Sequence, residues 1–232
     1  PASSVIAQLA SPMEQPLAVL YSDYRDYSRR SADVAFVTHE LIESSTPIID
    51  YAEKQDGIVQ NRCDSLLITY IHGDVINNIC RALITGLLSA KSEMTRVKRK
   101  GQSNPDRFII VTSGVGIFCS LGGASRNEIT IAGKPTNLAA RMDELTKRPE
   151  IREILSLEPG ILLDFTTKKA LLTSGIDLGL TEIDLKTRNM EVRTYSEERR
   201  VFILKHSEAA LQQLETALKD TLKQNEPTRS AA

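Results

Sequence analysis

The sequence predicts a mixed α+β domain, because short apolar runs typical of buried strands alternate along the chain with longer segments of helical periodicity. Two segments carry most of that prediction. Residues 17–21 (LAVLY) are apolar throughout and lead directly to Ser22 and Asp23, as a buried strand does when it reaches a loop. Between residues 74 and 97 the apolar side chains fall on one face of a helix. A chain of 232 residues fits one domain with terminal extensions.

The remaining elements follow in chain order from the same two periodicities. We expect a helix over residues 31–51 with a kink at Pro47, a hairpin over 58–64 and 66–70, strands over 108–111, 115–121, 128–132 and 161–164, a helix over 135–145, and a strand over 200–205. The basic segment 96–105 indicates a solvated connection. The C-terminal leucines at 211, 214, 218 and 222 predict a helix used for packing or a dimer contact.

Composition argues against several functional classes. The 29 basic and 30 acidic side chains nearly cancel, so no overall field favours nucleic acid or direct membrane contact. Cys63, Cys80 and Cys119 are widely separated, which predicts neither disulfides nor a zinc site. No apolar run approaches the ~20 residues of a membrane span, and the N-terminus lacks a signal pattern. A cytoplasmic location is therefore expected.

Two acids and a polar helix face are the candidate functional residues. Asp23 closes the first predicted strand, and Asp64 lies at the tip of the hairpin that follows. Carboxylates at strand ends are hard oxygen ligands, which Mg²⁺ and Mn²⁺ prefer. Asn137 and Arg141 are four residues apart and therefore share one face of a predicted helix. One acid at a strand end is weak evidence for a metal site. The two acids together with the Asn137/Arg141 pair favour a functional site.

These residues resemble the motifs of class III nucleotide cyclase catalytic domains. Residues 21–28 (YSDYRDYS) match a segment like Phe-Ala-Asp-Ile-x-Gly-Phe-Thr, residues 60–64 (QNRCD) match Lys-x-x-Gly-Asp, and residues 133–141 match Gly-x-x-Val-Asn-x-Ala-x-Arg. The resemblance covers residues 17–205, with 1–16 as an N-terminal extension and 206–232 as a C-terminal helix and polar tail. It implies a ferredoxin-like βαββαβ fold, with a central, mostly antiparallel sheet flanked by helices, and a head-to-tail homodimer.

The resemblance also implies a mechanism. The ribose 3′-hydroxyl of a nucleoside triphosphate attacks the α-phosphorus in line, and pyrophosphate leaves. Asp23, Asp64 and the backbone of Tyr24 are the expected ligands of two Mn²⁺ or Mg²⁺ ions. Asn137 orients the ribose, and Arg141 stabilises the charge that grows on the α-phosphate. The acids and the Asn/Arg pair facing one substrate come from different chains, so each site lies at the dimer interface.

The positions that choose the base depart from the adenylate cyclases of this family. Gln60 stands in place of a Lys and Arg62 replaces an aliphatic residue, whereas Thr130 keeps the Asp or Thr that precedes the Gly of the helix motif. Strand alternation predicts that Gln60, Arg62 and Asp64 point to one face, toward the cleft. A large cation and an amide there suit the carbonyls of a pyrimidine, so UTP is favoured over CTP. The alternative for Arg62 is a salt bridge to a neighbouring acid, with no contact to the base.

Two further departures complete the resemblance. Cys63 stands in place of the usual Gly, and Pro135-Thr136 in place of x-Val. The chain is in these respects similar to the pyrimidine cyclases of the bacterial Pycsar anti-phage systems, whose cyclic UMP or cyclic CMP is read by a separate effector protein. Two alternatives stay open: an adenylate cyclase with an unusual base pocket, and a catalytically inactive cyclase-like module that binds nucleotide.

Overall fold

A computed structural model describes residues 12–102, 104–123 and 126–224. Its strands are β1 (Met13–Tyr24), β2 (Ile58–Arg62), β3 (Ser65–Tyr70), β4 (Arg107–Gly123), β5 (Arg126–Gly133), β6 (Gly160–Leu163), β7 (Thr181–Asp184) and β8 (Arg200–Lys205). They form one eight-stranded sheet in the order β2-β3-β1-β4-β6-β8-β7, with β5 paired to the far half of β4. Every pairing is antiparallel except that of β4 with β6.

Helices cover both faces of this sheet. They are α1 (Tyr27–Arg30), α2 (Phe36–Leu41), α3 (Ile42–Lys54), α4 (Val75–Arg99), α5 (Lys134–Thr146), α6 (Pro149–Leu157), α7 (Phe165–Thr173) and α8 (Glu208–Gln224). The α2 segment is wound as a π-helix and runs directly into α3, which contains Pro47 without a break. Among the residues described, no helix combines the length and the apolar character that crossing a bilayer requires.

The uninterrupted apolar run of β1 is explained by burial on both faces of the sheet. Ala18 and Leu20 belong to a core shared with α3, α4 and α8. Leu17 and Val19 belong to a second core, shared with α5 and α6 on the opposite face. A strand covered on both faces reads as a continuous apolar run rather than as an alternating one. The predicted α+β architecture, with a mostly antiparallel sheet flanked by helices, is confirmed.

Several predicted elements differ in detail from those observed. The segments predicted as two strands over 108–111 and 115–121 form the single long strand β4. Helices α6 and α7 and the short strand β7 were not predicted. Arg96 does not lie in a solvated loop, because α4 continues past it and its side chain is buried in ion pairs with Glu93 and Asp106, at 2.8 and 2.5 Å. The prediction of a solvated connection was wrong at this residue.

The C-terminal helix packs onto its own chain. Leu211 and Leu214 of α8 are buried, and the partly buried Leu218 packs against the same core. This core also contains buried residues of α4, such as Leu83 and Leu87. Of the two roles predicted for the leucine stripe, packing within the chain is the one observed.

Candidate active site

The fold brings Asp23 and Asp64 to the same end of the sheet. β1 and β3 run antiparallel with Asp23 opposite Ser65, so the hairpin turn that carries Asp64 lies beside the end of β1. The backbone N–H of Tyr24 donates a hydrogen bond to the Asp64 carbonyl at 3.1 Å, which fixes the turn against the strand. Both acids line one open cleft of about 460 Å³, here called the Asp23/Asp64 cleft.

Two residues beside these acids have left-handed backbone conformations. Asp26 has φ 56° and Cys63 has φ 61°. Both occupy positions where the matched motifs carry glycine, the residue that adopts such angles without penalty. For other residues the conformation costs roughly 1–2 kcal/mol, although Asp tolerates it better than Cys. The turns therefore keep a glycine-like backbone without the glycine.

The left-handed turn at Cys63 bears on one prediction. β2 ends at Arg62, and Asp64 lies beyond the turn, outside any strand. The argument from strand alternation therefore does not extend to Asp64. That Gln60, Arg62 and Asp64 share a face stays a prediction.

Arg107, at the start of β4, supports the turn from beneath. Its side chain is only 2% exposed. The guanidinium donates to the Asp64 carbonyl at 2.8 Å and to the hydroxyls of Ser44 and Ser45 at 3.0 and 2.8 Å. It also lies over the Tyr24 ring, 5.1 Å from the centroid. Burial lowers its pKa to about 10, which leaves it charged at neutral pH. The buried, charged Arg107 thus contacts the turn that carries Asp64 and lies close to both acids.

The electrostatics of the Asp23/Asp64 cleft fit a divalent cation. The pKa of Asp23 is raised, first by burial and then by the nearby carboxylates of Asp143 and Asp64. Within the described residues no group of three His, Cys, Asp or Glu side chains is placed to hold a metal. Mg²⁺, however, is commonly held by one or two carboxylates together with substrate phosphates. Two crowded carboxylates beside an open cleft are such a donor set.

Asn137 and Arg141 lie on α5, in a separate cleft. The helix begins after Gly133, whose φ of 139° favours glycine, and the Thr112 hydroxyl anchors its first turn by donating to the Pro135 carbonyl at 2.8 Å. Asn137 and Arg141 line a cleft of about 410 Å³, here called the Asn137/Arg141 cleft. The Arg141 side chain is 42% exposed and, among the residues that the structure describes, forms an ion pair only with Glu144 of its own helix, at 3.1 Å.

The Asn137/Arg141 cleft also contains two residues that sequence reasoning missed. Thr194 and Tyr195 complete its lining. Thr194 has φ 73°, which is a genuine outlier for a β-branched residue. Strained backbone of this kind clusters at functional sites. No pattern around position 194 could have predicted it, because the preceding loop has neither helical nor strand periodicity.

A buried acid lies near Lys134, the first residue of α5. Asp164 is fully buried and caps the N-terminus of α7, accepting from the Thr167 backbone N–H at 3.2 Å and from its hydroxyl. The Thr167 hydroxyl also lies 3.0 Å from that of Ser113, the β4 residue that follows Thr112. Burial, and to a smaller extent the nearby Glu198, raise the pKa of Asp164 to about 6.

Two of the three residues predicted to read the base, Gln60 and Thr130, lie outside the lining of both clefts in the single chain. Gln60 is half-buried on β2 opposite Leu67, and Thr130 is half-buried on β5 opposite Cys119. Arg62 lies at the end of β2, and its side chain is outside the described part of the structure.

Comparisons with known proteins identify the fold. No protein-family model and no curated protein sequence matches the chain. Among solved structures, the adenylyl cyclase CyaB from P. aeruginosa superposes with a TM-score of 0.68 at 16% identity, covering 87% of this chain and 99% of that one. The guanylate cyclase domain of RhGC from Catenaria anguillulae, in complex with GTP, gives 0.65 at 17%, covering 84% and 100%. A non-canonical dimeric guanylyl cyclase domain from Blastocladiella emersonii gives 0.60 at 13%, covering 84% and 98%. The chain therefore has the fold of the adenylyl and guanylyl cyclase catalytic domains.

Proposed function

We propose that the protein is a nucleotide cyclase, which converts a nucleoside triphosphate to the 3′,5′-cyclic monophosphate and pyrophosphate. One observation carries the proposal: on a cyclase fold, the two acids at the end of the sheet converge on one cleft, and the amide and guanidinium of α5 converge on another. A chain that had lost catalysis would be expected to lack at least one of these four side chains. The inactive-module alternative is therefore disfavoured.

Each side chain has a role that its surroundings suit. Asp23 and Asp64, with the backbone of Tyr24, would hold Mg²⁺ or Mn²⁺, and bound metal would neutralise phosphate charge and activate the ribose hydroxyl. Asn137 would orient the ribose through its amide. The Arg141 guanidinium, a planar donor beside the substrate, would stabilise charge on the α-phosphate. In the single chain Arg141 is still half-exposed and available for such a contact.

The division between two clefts supports a homodimer with shared sites. Neither cleft alone contains both the metal acids and the Asn/Arg pair. In a head-to-tail dimer, the Asp23/Asp64 cleft of one protomer faces the Asn137/Arg141 cleft of its partner, which produces two equal sites. One of the similar structures is described as a non-canonical dimer of a guanylyl cyclase domain, which supports dimerisation but not the head-to-tail arrangement.

The proposed substrate is UTP, with CTP next. The argument rests on Gln60 in place of a lysine, on Arg62 two residues further along the same strand, and on Thr130. The cyclic pyrimidine product would act as a second messenger in anti-phage defence and be read by a separate effector protein. Adenylate cyclase activity is the second candidate, because an adenylyl cyclase is among the similar structures.

The test is product formation by the purified protein. ATP, GTP, CTP and UTP are each incubated with the protein and Mn²⁺, and each 3′,5′-cyclic monophosphate is detected by mass. Asp64→Ala is the inactive variant, and Asp50→Ala, which removes an exposed acid of α3, is the matched control. Cyclic UMP or cyclic CMP that disappears only in Asp64→Ala supports the proposal. Cyclic AMP as the main product would overturn the pyrimidine assignment alone, and no product from any nucleotide would overturn the cyclase proposal.

A further inference from the structure

Tyr24, the residue after Asp23, packs its ring into a small third core, separate from the two that flank the sheet. It is only 2% exposed and shares this core with Phe36 and Leu41 of α2. The rings of Tyr24 and Phe36 meet edge to face, with centroids 5.1 Å apart. The matched motif carries isoleucine at position 24, so the aromatic ring departs from that motif. The side chain next to one candidate metal ligand thus joins β1 to α2.

Two guanidinium groups lie over the Tyr24 ring. Arg107 is 5.1 Å from its centroid, and Arg30, the last residue of α1, is 5.5 Å from it. The Nη1 group of Arg30 also donates to the Tyr24 hydroxyl at 3.3 Å, and the same guanidinium lies 4.3 Å from the centroid of Phe36. The quadrupole of an aromatic ring attracts a cation over its face. Arg30 is not among the residues that line the Asp23/Asp64 cleft, so it reaches the acids by contact only through Tyr24.

Two acids hold Arg30 in this position. Glu40 of α2 accepts a hydrogen bond from its Nη2 group at 2.5 Å, and Asp106, which precedes β4, lies 3.6 Å from its Nη1. Asp106 is itself paired with Arg96 at 2.5 Å. The Arg30 side chain is 28% exposed, so these contacts form a part-buried network rather than an isolated surface pair, which would contribute little. The guanidinium is therefore oriented by acids from two different parts of the fold.

Helix α1 depends on such contacts for its place in the structure. It has four residues, none of them buried, and a helix of that length is not stable alone. Nevertheless, its residues 27–29 line the Asp23/Asp64 cleft. Both ends are tied to Asp106, since the backbone N–H of Arg25 donates to its carbonyl at 2.8 Å and the Arg30 guanidinium lies beside its carboxylate. Arg30 thus anchors one wall of the cleft from the side that faces away from it.

We propose that Arg30 is a positioning residue: through the Tyr24 ring it holds the end of β1 against the turn that carries Asp64. The link between the two is the hydrogen bond from the Tyr24 N–H to the Asp64 carbonyl, at 3.1 Å. Because Arg30 also ends α1, one side chain holds both a wall of the cleft and the backbone beside the acids. The consequence for metal binding rests on the proposed function, whereas the coupling of Arg30 to the turn does not.

The first test is hydrogen exchange of the Tyr24 amide, followed by NMR, which requires neither substrate nor metal. Arg30→Met should accelerate this exchange by about tenfold, because the local opening that frees the amide becomes easier when the cation over the ring is lost. Exchange at Leu20, buried in the same strand, should change much less. Equal acceleration at both amides would overturn the proposal, because the effect would then be a global loss of stability.

The matched control is Lys168→Met. Lys168 lies over the Phe202 ring, 4.2 Å from its centroid, pairs with Glu182 at 3.3 Å and is 24% exposed, so its surroundings resemble those of Arg30. It belongs to α7 and lines neither cleft. This variant should leave exchange at Tyr24 unchanged. Acceleration at Tyr24 equal to that in Arg30→Met would overturn the proposal.

The second test follows the metal dependence of cyclase activity. Arg30→Met should raise the Mn²⁺ concentration for half-maximal activity by about tenfold, while the KM for nucleotide at saturating Mn²⁺ stays unchanged. Arg30→Lys keeps a cation over the ring and should recover most of the loss. Faster exchange at Tyr24 with an unaltered Mn²⁺ requirement would overturn the role in metal binding.

Failure of this inference is distinguishable from failure of the proposed function. If no cyclic nucleotide forms while exchange at Tyr24 still depends on Arg30, the proposed function fails and the coupling of Arg30 to the turn stands. If cyclase activity is present and Arg30→Met changes neither the exchange at Tyr24 nor the Mn²⁺ requirement, the positioning role fails and the function stands.

Discussion

The two clefts differ in how each is built. The turn that carries Asp64 in the Asp23/Asp64 cleft is held by the buried Arg107 and by the backbone of Tyr24. The Asn137/Arg141 cleft is formed by the exposed side of α5, and a buried acid, Asp164, lies near the start of that helix. One half is therefore preorganised and electrostatically strained by its acids, whereas the other presents an exposed amide and a half-exposed guanidinium.

This contrast indicates which half of the proposed site is held in a fixed geometry within one chain. The carboxylates of Asp23 and Asp64 repel each other, and the buried cation Arg107 compensates for their charge. Asn137 and Arg141 are already on one face of α5 through their spacing of four residues, so they require no further support before a partner surface covers them. We infer that dimer assembly completes the site by adding the open half to the rigid one.

The strongest test of this division mixes two defective chains. Asp64→Ala and Arg141→Ala should each lower kcat by on the order of 10²–10³ or more. Co-expressed, they should recover up to about a quarter of wild-type activity, because half of the dimers are mixed and each mixed dimer has one intact site. The measurement is turnover of the co-purified proteins carrying different affinity tags.

The control for this experiment pairs Asp64→Ala with Asp23→Ala. Both defects then lie in the same cleft, and no mixed dimer contains an intact site. Recovery in this pair, or none in the first pair although mixed dimers form, would contradict the assignment of the two clefts to different protomers.

A second prediction concerns Arg107, which supports the turn that carries Asp64. Arg107→Met should lower the free energy of unfolding by about 3 kcal/mol, because hydrogen bonds from a charged donor to Asp64, Ser44 and Ser45 are lost. It should also raise the Mn²⁺ concentration needed for half-maximal activity. Thermal unfolding and metal titration measure the two effects, and Arg188→Met, at an exposed arginine, should change stability by less than about 0.5 kcal/mol.

A third prediction concerns Asp164, the buried acid near the start of α5. The pKa of Asp164 is raised by burial to about 6, so near neutral pH the folded chain must keep a buried carboxylate ionised, whereas near pH 4 the group is neutral when folded. Its contribution to stability is therefore most favourable at low pH and is lost as pH rises toward 6. Asp164→Asn, which keeps a side-chain oxygen to cap α7, should raise the Tm at pH 7 and change it little at pH 4. An equal effect at both pH values would contradict the assignment.

The smallest expected effect is at the hairpin turn. Cys63→Gly should raise stability by about 0.5–1 kcal/mol, because it removes a left-handed strain that is partly offset by the greater entropy of glycine in the unfolded chain. Cys80→Gly is no control, since Cys80 is buried in α4. Asp26→Gly is the matched variant at the other left-handed position, where Asp is better tolerated and the gain should be smaller. Chemical denaturation resolves differences of this size.

The candidate catalytic residues could be predicted from the sequence better than the residues that hold them in place. Asp23, Asp64, Asn137 and Arg141 could be recognised because each lies in a local motif at the end of a strongly apolar strand or on a periodic helix. Their side-chain roles remain predictions. Arg107 could not be recognised, because its contacts are with residues more than 40 positions away and it simply follows a basic run in the sequence.

The missed helices have a different cause. α6 is short and begins at Pro149, a helix-start signal that is weak without a long apolar stripe. Asp143 was missed although it lies on the predicted α5 helix, because nothing local shows that its face is buried beside the acids. Tertiary packing decides which side of a helix faces a cleft, and a single sequence does not reveal that packing.

The length of β4 limits how this protein can change by mutation. Its 17 residues begin at Arg107 beneath the acids, pair with β1 along the way, and then pair with β5, which leads into α5. Inserting or deleting a single residue within it would turn every following side chain to the opposite face of the sheet. A change in length should therefore be harmful at every position of the strand, and a scan of single-residue deletions should show a continuous intolerant segment there, flanked by tolerant loops.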